Sequence, residues 1–177
     1  MLFGGDRLER SLLLASRSPR RRELIAYLGV PFRCVAAGEE DEAKDGAPEL
    51  LVEENAGRKA RAALPLAGPR ELVIGCDTVV CLEGRVLGKP ADEAEAFAML
   101  SLLQGRTHAV YTGVCILDAL SGDSRTGHCR TEVTFAPMSA DQIKAYIATG
   151  EPMDKAGAYG IQGLCAKHIE GVCGCYF

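Results

Sequence analysis

No uncharged apolar run in this chain approaches the roughly 18–20 residues a membrane-spanning helix needs, and the N-terminus has no apolar segment after a basic start. The expectation is a cytoplasmic protein with no membrane partner. Positive charge is not in excess either: 20 Lys and Arg stand against 24 Asp and Glu, a net charge of −4. That balance argues against nonspecific binding of nucleic acid polymers or anionic surfaces. Fourteen of the 20 basic residues are Arg, the better side chain for planar recognition of phosphate, so a local phosphate site stays open. Cys173-x-Cys175 has no second Cys pair to complete a four-ligand zinc site. His108, His128 and His168 have neither metal-ligand spacing nor an evident Ser or Cys partner, which leaves a hydrolase triad without support. The eight Cys are scattered through Ile, Val and Leu-rich segments and read as buried thiols. Neither GxGxxG nor GxxxxGK[ST] occurs, and no repeat or linker interrupts the chain.

What remains is an ordinary globular mixture, 47% hydrophobic and 25% charged over 177 residues, enough for one domain with its own core. Residues 12–16 form a short apolar strand, and Ser18-Pro19 supplies an N-cap with Pro at the first helical position. The helix runs from about 19 to 28, with Leu24, Ile25 and Leu28 on one stripe. The acidic stretch Gly38 to Gly46 reads as loop, followed by a helix over about 48–64 with an apolar face of Leu50, Leu51, Ala56, Ala60, Ala63 and Leu64. Leu72 to Cys76 predicts a buried strand ending at Asp77-Thr78, extended to Leu82, turning at Glu83-Gly84 and returning over 85–87. Asp92 with Glu95 predicts a capped helix through about Leu103. Residues 107–117 and 130–135 predict a long antiparallel pair, and Ser139 with Gln142 caps a helix closed by Gly150. Gly157 to Gly163 falls in an irregular loop before a final strand. Strands alternating with helices, with at least one hairpin, imply a mixed α/β sheet.

Three groups of residues carry chemical potential. Ser16, Ser18 and Arg20-Arg21-Arg22 stand where a strand enters a helix N-terminus, so backbone N–H groups, the helix dipole and guanidinium groups can converge on an anion such as phosphate. The same spacing suits a cap followed by a solvated basic turn. Asp77 falls at the carboxyl end of a buried strand, where open α/β sheets place ligands, as a base, a metal ligand or a turn Asp. Glu40 and Asp41 could share Mg²⁺ with it or be solvated surface. Lys59, Lys89 and Lys155 sit in or beside structured elements, where surface lysine is the ordinary case.

Six separated segments, in order, resemble the Maf family of nucleoside triphosphate pyrophosphatases: Leu14-Ala-Ser-Arg-Ser-Pro-Arg-Arg-Arg-Glu-Leu24, Arg58-Lys-Ala60, Val73-Ile-Gly-Cys-Asp-Thr-Val-Val80, Gly88-Lys-Pro90, Tyr111-Thr-Gly113 and Glu151-Pro-Met-Asp-Lys-Ala-Gly-Ala-Tyr-Gly-Ile-Gln-Gly163. The resemblance implies an elongated mixed β-sheet flanked by helices, in two lobes with a central cleft, related to the inosine triphosphate pyrophosphatases. It implies attack of water on the α-phosphorus of a nucleoside triphosphate, releasing monophosphate and pyrophosphate, with a divalent cation, Mg²⁺ or Mn²⁺. Asp77 matches the acidic catalytic residue. Ser16, Arg20, Arg21, Lys59 and Lys89 match phosphate-holding positions, and Glu40 or Asp41 joins Asp77 at the metal. Arg20, Thr78 and Gln162 match substrate-choice positions of the branch that hydrolyses dTTP and UTP. A Gln amide, with one donor and one acceptor side, suits the N3–H and O4 of uracil or thymine.

The expected organisation is an N-terminal extension over residues 1–10 and a single Maf-like domain over 11–177, stopping short of the family's usual C-terminal segment. A homodimer is the family expectation. The alternative function is a nucleotide-binding regulator of cell division and septum formation without significant turnover.

Overall fold

The computed structural model describes residues 10–36 and 46–177. Its principal elements are β1 (Ser11–Ala15), α1 (Pro19–Ala26), β2 (Phe32–Val35), α2 (Pro48–Ala63), β3 (Glu71–Leu82), β4 (Arg85–Leu87), α3 (Glu93–Leu103), β5 (Thr107–Asp118), β6 (Ser124–Phe135), α4 (Ala140–Ile147) and β7 (Ile169–Cys173). The strands hydrogen-bond in the order β2-β1-β3-β5-β6-β7, with β4 paired to β3. β1 is parallel to both β2 and β3, whereas β4 on β3 and β7 on β6 are antiparallel, so the sheet is mixed as the alternation of elements implied. Among the described residues no helix is long and apolar enough to cross a membrane.

The chain divides into two compact units. The first takes residues 10–36, Glu53–Asp77 and Gly113–Gly127. Its parallel strands carry apolar residues on both faces. Leu13, Ala15, Val73, Cys115 and Leu117 meet Ala56, Ala60 and Ala63 of α2 on one face, and Leu12, Leu14, Ile74 and Cys76 meet Ile25 of α1 on the other. Contact between α2 and β3 is backbone to backbone. A Cβ built on Gly75 would fall 2.0 Å from the Ala56 carbonyl oxygen and 2.7 Å from Ala60 N. Only glycine opposite alanines permits that approach, which places Asn55 and Lys59, on the same turns of α2, beside the next residues of β3.

The second unit, Gly46–Val52, Thr78–Thr112 and His128–Phe177, has a larger core. Val80, Leu82 and Leu87 pack with Leu100 and Leu103 of α3, Val133 and Phe135 of β6, Ile143 and Ile147 of α4, and Tyr159. Asp92 caps α3 by accepting from Glu95 N at 2.8 Å, while the Glu95 carboxylate accepts from Ala91 N rather than closing the box on Asp92. Ser139 and Gln142 make the full reciprocal box on α4.

Several sequence expectations are corrected. Four of the eight cysteines, Cys34, Cys129, Cys173 and Cys175, are exposed thiols. Cys34 sits on an edge strand, Cys129 in the solvated first half of β6, and the last two at and beyond the end of β7. β6 begins at Ser124 rather than near 130, because ladder bonds to its neighbour extend a polar segment that no apolar alternation announces. Leu28 (63% exposed) lies beyond the end of α1, and Leu50 (64%) is on the outer side of α2. Ser18 makes no side-chain cap; its own N–H donates instead to Ser16 Oγ at 3.1 Å.

Candidate active site

β1 delivers Ser16 into the turn before α1, and the first turn of α1 carries Arg20 and Arg21, both half-buried. Arg21 reaches over to β3. Its Nη1 donates to the Cys76 carbonyl at 2.8 Å and lies 3.5 Å from Ser16 Oγ. Three cations in the first turn oppose the helix dipole, and the carbonyl contact offsets part of that cost for Arg21.

Asp77 follows Cys76 and is 6% exposed. Its carboxylate is gripped from α2: Lys59 Nζ lies 2.5 Å from Oδ1, and Asn55 Nδ2 donates to Oδ2 at 3.2 Å. Both oxygens are engaged, which fixes the orientation of the buried carboxylate and sets an ammonium and an amide donor against it. Burial also acts on the neighbouring Cys76 thiol, whose pKa is raised despite the nearby cations Arg21 and Lys59. The first unit thus brings together Ser16, Arg21, Lys59 and Asp77 of the expected set, and adds Asn55. Asn55, 2% exposed, was missed from sequence, although an Asn four residues before Lys59 on an Ala-rich face is the available signal.

A second carboxylate of this unit is built differently. Glu71, at the opposite end of β3, takes both its oxygens to Arg33 (2.8 and 2.6 Å) and one of them to Gly68 N (2.7 Å). The Arg33 guanidinium holds it below the usual carboxylate range. Forked pairing to an Arg reads as an anchor for β2 against β3.

Thr78 opens the second unit, with Oγ1 3.0 Å from Thr112 Oγ1. Thr112, inside the Tyr-Thr-Gly segment, was not among the expected site residues. Lys89 is exposed in the connection after β4, and Gly88 beside it accepts from Gly157 N at 2.9 Å, tying that connection to the glycine-rich loop.

That loop is held at several points. Gly157 has φ +66 and lies against Val80, where any Cβ would come within 2.7 Å. Ala158 follows at φ +59, a left-handed conformation uncommon for a residue with a side chain. Tyr159 OH lies 2.7 Å from His108 Nε2. The Glu151 carboxylate accepts from Tyr146 OH (2.8 Å) and from Leu164 N (2.9 Å to Oε2), and a Cβ on Gly163 would fall 2.3 Å from Glu151 Oε1. Glu151 is therefore an anchor of this loop, a part that the sequence reading left unassigned. Gln162, between these anchors, donates from Nε2 to the Tyr176 carbonyl at 3.1 Å.

Burial shapes the titration of this unit. It pushes the Cys165 thiol up to about 12, raises Tyr146 and Tyr159, and lowers His108 to about 4. His108 is neutral at physiological pH, and its Nδ1 is the one buried side-chain polar atom without a partner among the described residues. Glu40 and Asp41 lie outside the described residues. Among those described, no group of three or more His, Cys, Asp or Glu is placed to hold a metal ion.

Comparison with known proteins bears on this geometry. A family model described as "Maf: Maf-like protein" matches residues 11–177. A dTTP/UTP pyrophosphatase of Pelotomaculum thermopropionicum is 51% identical over 170 residues, 94% of this chain and 87% of that protein. One from Moorella thermoacetica is 52% identical over 168 residues (94% and 86%), and one from Thermococcus gammatolerans 48% identical over 166 (94% and 87%). Among solved structures, a HAM1 protein from Coxiella burnetii aligns with TM-score 0.52 at 17% identity, covering 86% of this chain and 88% of that one. The Staphylococcus aureus Ham1 protein aligns with TM-score 0.50 at 16% identity, covering 89% and 90%. The structural likeness speaks to the fold alone, a mixed sheet flanked by helices as expected. A family model that spans all but the first ten residues, with relatives near half-identical over most of their length, settles the ancestry: the chain belongs to the Maf family.

Proposed function

We propose that the protein is a nucleoside triphosphate pyrophosphatase that hydrolyses dTTP and UTP to the monophosphate and pyrophosphate. The observation that carries the reading is Asp77, a buried carboxylate at a strand end, steered on both oxygens by Lys59 and Asn55 and adjoining the carbonyl held by Arg21. The names of relatives about half-identical over most of the chain support the same activity and substrates. In this reading Asp77 accepts the proton of the water that attacks the α-phosphorus. Ser16, Arg20, Arg21, Lys59 and Lys89 hold the phosphates, with Lys59 exchanging part of its attraction to Asp77 for the incoming anion. Arg20, Thr78 and Gln162 determine which nucleotide is accepted.

A divalent cation belongs to the proposal. Both Asp77 oxygens accept one hydrogen bond each and keep lone pairs to spare, and an all-oxygen donor set suits Mg²⁺ or Mn²⁺. Asp77, with Glu40 or Asp41, would hold the ion, which neutralises phosphate charge and polarises the reacting phosphoryl group. The reading further takes residues 11–177 as one catalytic domain of a cytoplasmic homodimer that binds no nucleic acid polymer.

The test is a pyrophosphate-release screen of the purified protein across the common ribo- and deoxyribonucleoside triphosphates, with Mg²⁺ and with Mn²⁺. Release from dTTP and UTP ahead of the purine and cytosine nucleotides is expected. Binding of nucleotides without release from any of them would overturn the enzyme reading in favour of a nucleotide-binding regulator.

A further inference from the structure

A glutamine amide is ambidextrous. Turned one way it accepts from N3–H and donates to O4 of uracil or thymine; flipped by half a turn it accepts from the 4-amino group of cytosine and donates to its N3. A glutamine that is free to flip therefore discriminates poorly between these bases. Something else has to choose its face.

In this chain the choice is made by the polypeptide itself. Gln162 lies 3.1 Å from the main-chain carbonyl of Tyr176. A carbonyl oxygen only accepts, so the nitrogen of the amide must face it, and Oε1 is turned to the other side. One N–H is used there, leaving the second N–H and Oε1 on a defined side of the amide. The carbonyl is itself located by Thr131 on β6. Thr131 is 8% exposed, and its Oγ1 lies 3.1 Å from both the N and the O of Cys175, so the hydroxyl brackets the residue preceding Tyr176. Between β7 and Cys175 the chain turns at Gly174, whose φ of +131 and whose contact with Thr131 leave no space for a Cβ: one placed there would meet Thr131 Oγ1 at 2.9 Å and the Arg130 carbonyl at 3.1 Å. The register of the segment is thus enforced by one hydroxyl and one glycine, both remote in sequence from the loop they serve.

We propose that Thr131 and the Tyr176 carbonyl are specificity-determining positioning groups: they lock the Gln162 amide in the orientation that fits thymine and uracil and disfavours cytosine. The inference rests on the reading of Gln162 as the base-reading residue. It assigns to the second half of β6 and the segment after β7 a part in substrate choice that neither takes by touching substrate.

The experiment measures kcat/KM for dTTP and dCTP on the same preparation of the full chain, for wild type and for Gln162→Ala, Thr131→Val, Thr131→Ser and Gly174→Ala. The dTTP/dCTP ratio does not depend on the fraction of protein that is folded, so partial destabilisation of a variant leaves the readout intact. Gln162→Ala sets the floor of the ratio. Thr131→Val, which keeps the shape and loses the hydroxyl, is expected to lower the ratio on the order of tenfold, toward that floor, chiefly by raising dCTP turnover. Gly174→Ala, which displaces the segment, should do the same, and Thr131→Ser, which restores the hydroxyl, should return the ratio to the wild-type value. If Gln162→Ala lowers the ratio while Thr131→Val and Gly174→Ala leave it unchanged, the positioning role is wrong and the base-reading role stands. If Gln162→Ala leaves the ratio unchanged, the base-reading role fails, and this inference with it.

Discussion

In the first unit the buried carboxylates are met by cations: Asp77 by Lys59, Glu71 by Arg33. In the second, the corresponding polar contacts are mostly between neutral groups: His108 with Tyr159, Thr78 with Thr112, Thr131 with the Cys175 backbone. The exceptions are Glu151, which is satisfied by a hydroxyl and a backbone N–H, and the Lys155 ammonium, which meets Asp154 and the Glu151 carbonyl. The difference is instructive because the two kinds of polar site do different chemistry. A carboxylate held by an ammonium and flanked by guanidinium groups is suited to a triphosphate, whose anionic oxygens can take over the cations. Neutral donors and acceptors fixed in place discriminate shape and hydrogen-bond pattern, because a mismatched partner leaves a polar group unpaired.

The largest effect is expected at Asp77. Asp77→Asn keeps the bond to Lys59 through the amide oxygen but removes the base, and turnover should fall roughly a hundred- to ten-thousandfold with the fold retained. Pyrophosphate release near the wild-type rate from a folded variant would remove Asp77 from the mechanism. Next in size is the seam that sets it in place. Gly75→Ala drives a methyl into the Ala56 carbonyl and should cost about 3 kcal/mol or more, measured by denaturant unfolding. Gly88→Ala in the second unit, with no heavy atom within 4 Å of the new methyl, should stay within about 0.5 kcal/mol.

A pH titration sharpens the contrast from the other side. His108 is held neutral in the folded state, with a pKa of about 4 against about 6.5 when exposed. Its contribution to stability is complete above about pH 6.5, is lost as the pH falls toward 4, and totals about 3 kcal/mol. His108→Gln should flatten that acid limb in unfolding curves measured between pH 7 and 4; an identical slope in both proteins would show that another group titrates. The smallest effects should separate two phosphate candidates. Arg21→Ala removes a bond to the Cys76 carbonyl and should cost about 1 kcal/mol of stability as well as weakening kcat/KM. Lys89→Ala, exposed, should weaken kcat/KM while leaving Tm unchanged. Equal Tm losses in both would place Lys89 in a structural role.

Much of the architecture was legible residue by residue. Short buried strands, capped helices and glycine stops follow from local rules, and α3 and α4 begin and end close to where Asp92, Ser139, Gly105 and Gly150 place their boundaries. What misled was exposure. Cys129 and the first half of β6 belong to a strand because a neighbouring backbone pairs with them, which no side-chain pattern records. The site was legible as a set of chemically apt residues, but Asn55, Thr112 and Glu151 carry no assigned part there, because what each does comes from what faces it and not from its own type.

Capping, periodicity and charge act over a few residues of chain, so the order of residues was enough to set which elements form and which ionisable groups are available. That Lys59 and Asn55 close on Asp77, 18 and 22 residues away, and that Gln162 turns its nitrogen to Tyr176, emerges from the packed fold. Those contacts depend on how closely backbones approach, which here is permitted by single glycines opposite alanines or a hydroxyl, and that fit exists only once the distant segments have packed.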